Sequence, residues 1–173
     1  MKRIAALTLA FVLALGCFAG CAAQEKTSGG FDGTLEELAA KIYENHGLIE
    51  LNVVTAAMDL TDKDAMRYNA GLSDVSDVTE AVISESMMGS QPYSLVLVRV
   101  KEGGDAGKIA KTMYDNIDTR KWICVEADTK TAVSCGDIAM FFMVGSTYAD
   151  QVTTQSMADA FRASVTGDVS VVG

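Results

Sequence analysis

The residues best suited to covalent or metal chemistry are four cysteines and a single histidine. Cys17 and Cys21 lie in an apolar N-terminal stretch, and Cys124 and Cys135 lie in the body of the chain. His46 falls on the apolar stripe of a predicted helix, in its last turn, where we expect it to interact with the helix dipole. No metal-ligand spacing or nucleophile motif accompanies these residues. The sequence therefore predicts no catalytic, cofactor-binding or metal-binding residue.

The N-terminal cysteines lie in the setting of a secretory signal. A basic head, Met1–Arg3, precedes an uncharged stretch, Ile4–Gly16, that is too short for an ordinary membrane-spanning helix. Phe18–Cys21 (FAGC) places small residues directly before a cysteine, and it resembles the lipobox of bacterial lipoproteins. The resemblance implies that residues 1–20 are a lipoprotein signal peptide and that the Cys21 thiol receives a diacylglyceryl group.

Three other interpretations of the N-terminus stay open. Cys17 could carry the lipid, although Leu15 is bulky at a position where a small residue is usual. The signal could also be cleaved without lipidation. A buried helix of the domain itself should show one polar face, and Ile4–Phe18 shows almost none.

Lipidation at Cys21 would place the chain on the extracytoplasmic face of the cell membrane. Loss of Lys2 and Arg3 with the signal leaves 12 basic residues against 23 acidic ones, a net charge of −11. Such a surface is a poor partner for nucleic acid or anionic lipid headgroups. The expected partners are the membrane, through the lipid anchor, and a protein, a peptide or a small ligand.

The rest of the chain has the length and composition of one domain. Residues 21–33 are polar and rich in Gly, and they indicate a flexible tether. Residues 34–166 form the predicted domain. Residues 167–173 are a tail or an edge strand.

Apolar spacing predicts four helices. Thr34–Asn45 begins with a capping-box pattern, and Asp62–Ala70 and Asp105–Thr119 each begin with a capping aspartate. Asp150–Ser164 has a weaker apolar face. Leu48–Leu60 is compatible with either a strand or a helix.

Strands are predicted where Val, Ile and aromatic residues concentrate. The predicted strands are Val75–Ser86, Tyr93–Lys101, Trp122–Val125, Thr131–Cys135 and Ile138–Val144. The Gly136-Asp137 pair suits a type II′ turn, and Ile138–Val144 is apolar enough to be the central strand. The predicted fold is α+β, with a mainly antiparallel sheet built from hairpins and amphipathic helices packed on one face.

Two pairs of side chains allow alternative interpretations. Cys124 and Cys135 form either a disulfide or two buried thiols. Met87 and Met88, in the loop between two strands, either fold back onto the core or form an adaptable contact surface. Trp122 is expected to anchor the core.

Several of these features together are similar to a family of small lipoproteins from Gram-positive anaerobes, domain of unknown function 4358. They are the N-terminal cysteine signal, the Tyr93–Lys101 strand with the helix opening at Gly103–Ala106, the Asp118–Trp122 segment and the Cys135–Asp137 hairpin turn. The resemblance spans Leu48–Phe161. It implies a secreted or lipid-anchored domain, and it carries no catalytic residues.

The sequence favours a non-enzymatic, lipid-anchored binding or protein-interaction domain. One alternative is a small enzyme that uses Cys124 or Cys135 as a nucleophile. The other is a structural component of the envelope.

Replacement of Cys21 by serine tests the lipid assignment. We expect Cys21→Ser to abolish incorporation of labelled palmitate, because a hydroxyl cannot replace the thiol as lipid acceptor. The control, Cys17→Ser, should incorporate the label normally. Labelling that survives in Cys21→Ser and disappears in Cys17→Ser would show that Cys17 is the lipid site.

Overall fold

The computed structural model describes residues 29–47 and 52–173. The predicted signal peptide, Cys17, Cys21 and the tether up to residue 28 lie outside the described residues, as do residues 48–51. The described part of the chain folds into four α-helices and a six-stranded antiparallel sheet, so the α+β fold class is confirmed.

The helices are α1 (Leu35–His46), α2 (Lys63–Ala70), α3 (Ala106–Asn116) and α4 (Thr154–Ser164). The strands are β1 (Val53–Ala57), β2 (Val78–Ser86), β3 (Tyr93–Val100), β4 (Thr129–Cys135), β5 (Ile138–Val144) and β6 (Ser170–Val171). A short 3-10 turn covers Ser146–Tyr148.

The first three helices begin at the predicted caps, but α3 ends at Asn116 instead of Thr119. The last helix begins at Thr154, after a Thr153 cap, and not at Asp150. At the start of α1 the Glu37 N–H donates to the Thr34 hydroxyl at 3.2 Å, and the Thr34 N–H donates to the Glu37 carboxylate at 3.0 Å. This reciprocal pair is the predicted capping box. Asp62 and Asp105 cap α2 and α3 with a single bond each, in which the carboxylate accepts a backbone N–H at 2.9 Å. Gly71 ends α2 with a φ of 68°, a conformation that favours glycine.

The strand order is β1-β2-β3-β5-β4-β6, and all neighbours are antiparallel. Every residue of β5 is buried, so Ile138–Val144 is a central strand as predicted. In the β4–β5 turn Gly136 has a φ of 57° and Asp137 has no positive φ. A positive φ at the first loop residue alone is what a type II′ turn requires.

Helices cover both faces of the sheet, which corrects the expectation of helices on one face. Leu95 and Leu97 of β3 point into a core formed with α1 and α4. Val96 and Val98 point into a second core formed with α2 and α3. Because these strands lack the alternation of apolar and polar residues that a hydrated face requires, each face needs its own helical layer.

The segment 29–33 belongs to the domain, although its polar, Gly-rich composition predicts a tether. The Gly30 N–H donates to the Thr166 carbonyl at 2.7 Å, and the Thr166 N–H donates back to Gly30 at 2.9 Å. Gly136 has no room for a side chain, because a Cβ there would collide with the Gly29 carbonyl. The ordered domain therefore includes Gly29.

Arg99 of β3 holds this segment in place by hydrogen bonds. Its guanidinium donates to the carbonyls of Phe31 and Gly33 at 3.3 and 2.7 Å. It also pairs with the carboxylates of Asp137 at 2.9 Å and Glu80 at 3.1 Å. The N–H donors of the guanidinium are thus shared between the N-terminal segment, β2 and the β4–β5 turn.

In three further segments the structure decides between predicted alternatives or differs from the prediction. The stretch with ambiguous periodicity contains β1, a strand. Residues 167–173 contain β6, an edge strand on β4. The predicted strand Trp122–Val125 is absent: the segment is a loop, and Cys124 has a φ of 64°, which no strand residue adopts.

Removal of residues 29–33 tests whether they are domain or tether. A soluble form that begins at Thr34 loses the Gly30–Thr166 pair and two acceptors of Arg99. After allowance for the backbone entropy it regains, we expect it to be less stable than a form that begins at Gly29 by about 2 kcal/mol. The melting temperature should fall by about 5 °C in differential scanning calorimetry. Equal melting temperatures would contradict the assignment of this segment to the domain.

Candidate functional site

Exposed apolar side chains concentrate at one end of the sheet. Six large hydrophobic residues are exposed in the described part of the chain: Val54, Tyr68, Met87, Met88, Ile123 and Val171. All but Val171 lie at the end where the β2–β3 loop and the loop between α3 and β4 meet. We call these five residues the hairpin-end patch.

Contacts of Lys121 connect the elements that carry the patch. Its Nζ lies 6.0 Å from the centre of the Tyr68 ring, and it pairs with the Glu85 carboxylate. Val54 of β1 is the direct cross-strand neighbour of Glu85. Met87 and Met88 come two and three residues after Glu85, and Ile123 comes two residues after Lys121, so the five patch residues lie at the same end of the sheet as this ion pair.

Lys121 is the buried polar centre beneath the patch. Its side chain is 2% exposed, and that of Glu85 is 30% exposed. Nζ also donates to the Ser94 hydroxyl at 3.2 Å and lies 5.3 Å from the centre of the Trp122 ring. Burial lowers the pKa of Lys121, and the Glu85 carboxylate opposes that shift. The ion pair joins the α3–β4 loop to β2 and holds Trp122 half-buried against the second core.

The two loop methionines are exposed, which is one of the two arrangements predicted for them. Met87 is 72% exposed and Met88 is 52% exposed. The loop satisfies its own polar groups, since the Met88 N–H donates to the Ser86 hydroxyl at 3.1 Å and the Gln91 N–H donates to the Met88 carbonyl at 2.9 Å. The methionine side chains are left to solvent, as on an adaptable contact surface.

The α3–β4 loop supplies the other half of the patch. Ile123 is 82% exposed, more than any other large hydrophobic residue described. Its neighbour Cys124 has a left-handed backbone, which turns the chain at this point. Sequence reasoning placed a strand here because Trp, Ile and Val are strand formers, and it therefore missed Ile123 as a surface residue.

Neither arrangement predicted for Cys124 and Cys135 is correct. Both thiols are free, and only Cys135 is buried. Cys124 lies before the start of β4, and Cys135 is the last residue of that strand. The two ends of β4 are about 20 Å apart, whereas a disulfide needs Cα atoms within about 7 Å of each other. The Cys135 thiol donates to the Thr166 carbonyl at 3.2 Å, and burial raises its pKa. Both features keep it in the protonated, less nucleophilic form.

His46 lies at the end of α1, as predicted. Its Nε2 lies 2.9 Å from the Ser156 hydroxyl of α4, and burial lowers the pKa of the imidazole. Ser156 in turn caps α4 by exchanging hydrogen bonds with Thr153. The pair therefore connects two helix ends, and neither cysteine is bonded to the histidine.

A cleft of about 1440 Å³ lies at the opposite end of the sheet. Its walls are the 29–32 segment, the β3–α3 loop, the β4–β5 turn and the C-terminal residues. Glycines and charged residues dominate this lining, unlike the apolar lining of a typical small-molecule pocket. Arg99, the cation best placed to bind a ligand there, is already bonded within the fold. The hairpin-end patch is therefore the better candidate site.

The Asp59 and Asp74 carboxylates stabilise turns. The Asp74 carboxylate accepts from the Ser76 N–H at 2.9 Å, and Asp59 accepts from the Thr61 N–H at 2.8 Å. Within residues 29–47 and 52–173 no three His, Cys, Asp or Glu side chains are grouped so as to hold a metal ion. None of the helices in this part of the chain is long and apolar enough to cross a membrane.

Comparisons with protein-family models, with curated proteins and with solved structures found no match to this chain. The similarity to domain of unknown function 4358 therefore stays a prediction.

A double-mutant cycle tests the Lys121–Glu85 pair. Lys121→Met should destabilise the domain by about 2 kcal/mol, because the Glu85 carboxylate is then left without its charge partner. Adding Glu85→Leu should restore most of that loss, since the pair becomes an apolar contact. Urea unfolding of the four proteins gives the coupling energy. Additive effects of the two substitutions would show that the pair does not hold the loop.

Proposed function

We propose that this protein is a lipid-anchored extracytoplasmic lipoprotein, attached through Cys21, whose α+β domain binds a protein partner without catalysing a reaction. The observation that carries the proposal is the hairpin-end patch. Clustered exposed hydrophobic residues mark interaction sites on soluble domains, whereas isolated ones need no explanation. Aromatic residues and methionine are also enriched at protein interfaces.

The geometry of the anchor supports a partner away from the membrane. The chain enters the domain at Gly29 and Gly30, beside the β4–β5 turn, and the patch lies at the other end of the sheet. A seven-residue strand such as β5 separates these ends by about 20 Å. A lipid on Cys21 therefore holds the cleft end near the bilayer and directs the patch outward.

The chemistry of Cys135 and of His46 argues against the alternative enzyme. Cys135 is buried with a raised pKa, and the lone histidine is bonded to Ser156 on another part of the fold. A cysteine nucleophile needs an adjacent base or a lowered pKa.

Site-specific photocross-linking in the native cell tests this proposal. A benzophenone side chain at Met88 should yield an adduct with a second protein, because Met88 lies in the patch. The same group at Glu102, an exposed residue at the cleft end, should yield none. Ile123→Asp should remove the Met88 adduct without changing the melting temperature, because Ile123 is exposed.

Val171→Asp is the matched control, since it places the same charge on an exposed apolar residue outside the patch. It should leave the Met88 adduct intact. Equal cross-linking from Met88 and Glu102, or an adduct that survives Ile123→Asp, would overturn the assignment of the patch as the binding surface.

A further inference from the structure

The edge of β1 has unpaired backbone groups. The Met87 N–H donates to the Asn52 carbonyl at 2.9 Å, and the Met58 N–H donates to the Ala81 carbonyl at 2.8 Å. Hydrogen-bonded positions alternate along an antiparallel strand, so Val54 and Ala56 also bond to β2. The N–H and C=O groups of the three residues between them, Val53, Thr55 and Ala57, point away from the sheet.

Nothing in the described residues covers this edge. No hydrogen bond from a described residue reaches the outward backbone groups of Val53, Thr55 or Ala57. The strand also lacks the features that normally protect an edge, because it contains no charged residue, no proline and no bulge. The opposite edge is different, since β6 is only two residues long.

We propose that the β1 edge binds an extended segment of a partner protein as an additional strand. This inference rests on the proposed role as a binding domain, but it concerns the backbone edge rather than the side chains of the patch. In strand addition the backbone hydrogen bonds provide affinity and the alternate side chains provide specificity. Val54 and Ala56, both exposed, favour uncharged, β-branched residues opposite them.

Charge indicates what flanks that segment. The residues that follow β1 include Asp59, Asp62 and Asp64 together with two basic residues, Lys63 and Arg67, and all five are exposed. Arg67 pairs with Asp64 at 3.1 Å, which leaves this rim acidic by one charge. The whole chain carries a net charge of −9. Lysine or arginine beside the uncharged residues of the partner would complement this rim. A second copy of the chain is a poor occupant, because it would bring the same negative charge to the same edge.

The first test uses the soluble Gly29–Gly173 protein and a synthetic probe, a peptide of alternating valine and threonine between terminal lysines. Amide hydrogen exchange by NMR should show the Val53, Thr55 and Ala57 amides exchanging rapidly in the free protein. The probe should slow all three by about tenfold or more, because each N–H gains an acceptor. The same peptide with terminal glutamates should bind about tenfold more weakly. Unchanged exchange, or equal binding of the two peptides, would overturn the inference.

A variant pair tests the same edge without relying on exchange. Ala57→Pro removes an outward N–H and leaves the β1–β2 ladder intact, whereas Ala57→Val keeps the N–H. Probe affinity should fall about tenfold in Ala57→Pro and persist in Ala57→Val, with both melting temperatures near that of the parent. If Ala57→Pro unfolds the domain, hydrogen exchange in the unsubstituted protein still tests whether the probe binds at the β1 edge.

Two outcomes separate this inference from its alternatives. Protection of the three amides that rises with protein concentration, together with a dimer in sedimentation, would mean that a second copy occupies the edge and would overturn it. A Met88 photoadduct that survives Ala57→Pro but disappears in Ile123→Asp would overturn the added strand. That last result would leave the proposed function standing.

Discussion

The burial of β3 and β5 on both faces is the constraint on which the rest of the structure depends. Every residue of β5 is buried, and neighbouring residues of β3 point into different cores. Two helices must therefore pack on each face, because an uncovered face would leave these apolar side chains in water. Once both faces are covered, only the ends and the edges of the sheet can present a binding surface. The hairpin-end patch and the β1 edge occupy those positions.

Two polar clusters fix the register at that end of the sheet. Tyr93 donates to Tyr43 at 3.0 Å, and Tyr43 donates to Ser84 at 2.7 Å, on the face covered by α1 and α4. Burial raises the pKa of Tyr93, so its hydroxyl stays protonated and can donate. The next residue of β2, Glu85, holds Lys121 on the other face. If β2 shifted by one residue against β3, Ser84 and Glu85 would exchange faces of the sheet, and their buried partners would lose these polar contacts. The register of β2 and β3 is therefore strongly specified.

The sequence was most informative where a local signal determines structure. The Thr34 capping box and the Gly136 turn are confirmed because each depends only on residues close by in the chain. The segment 29–33 was misassigned because its order comes from Arg99, which lies far along the chain. Trp122–Val125 has strand-forming residues, but the Lys121 ion pair and the turn at Cys124 hold it as a loop. The exposure of Met87 and Met88 was one of two predicted arrangements, whereas that of Ile123 was not predicted, since amphipathic spacing does not show which loop side chains remain uncovered.

The patch and the edge are parts of one surface, because Val54 belongs to both. Its side chain lies beside Glu85 on the face of the patch, and its strand carries the outward groups of Val53 and Thr55. An added strand would place alternate side chains next to Val54. The backbone edge would then supply alignment and most of the hydrogen bonds, while the patch would select among apolar side chains. A partner that is extended, apolar and flanked by basic residues satisfies both parts at once, and a folded partner with a flat surface satisfies only the patch.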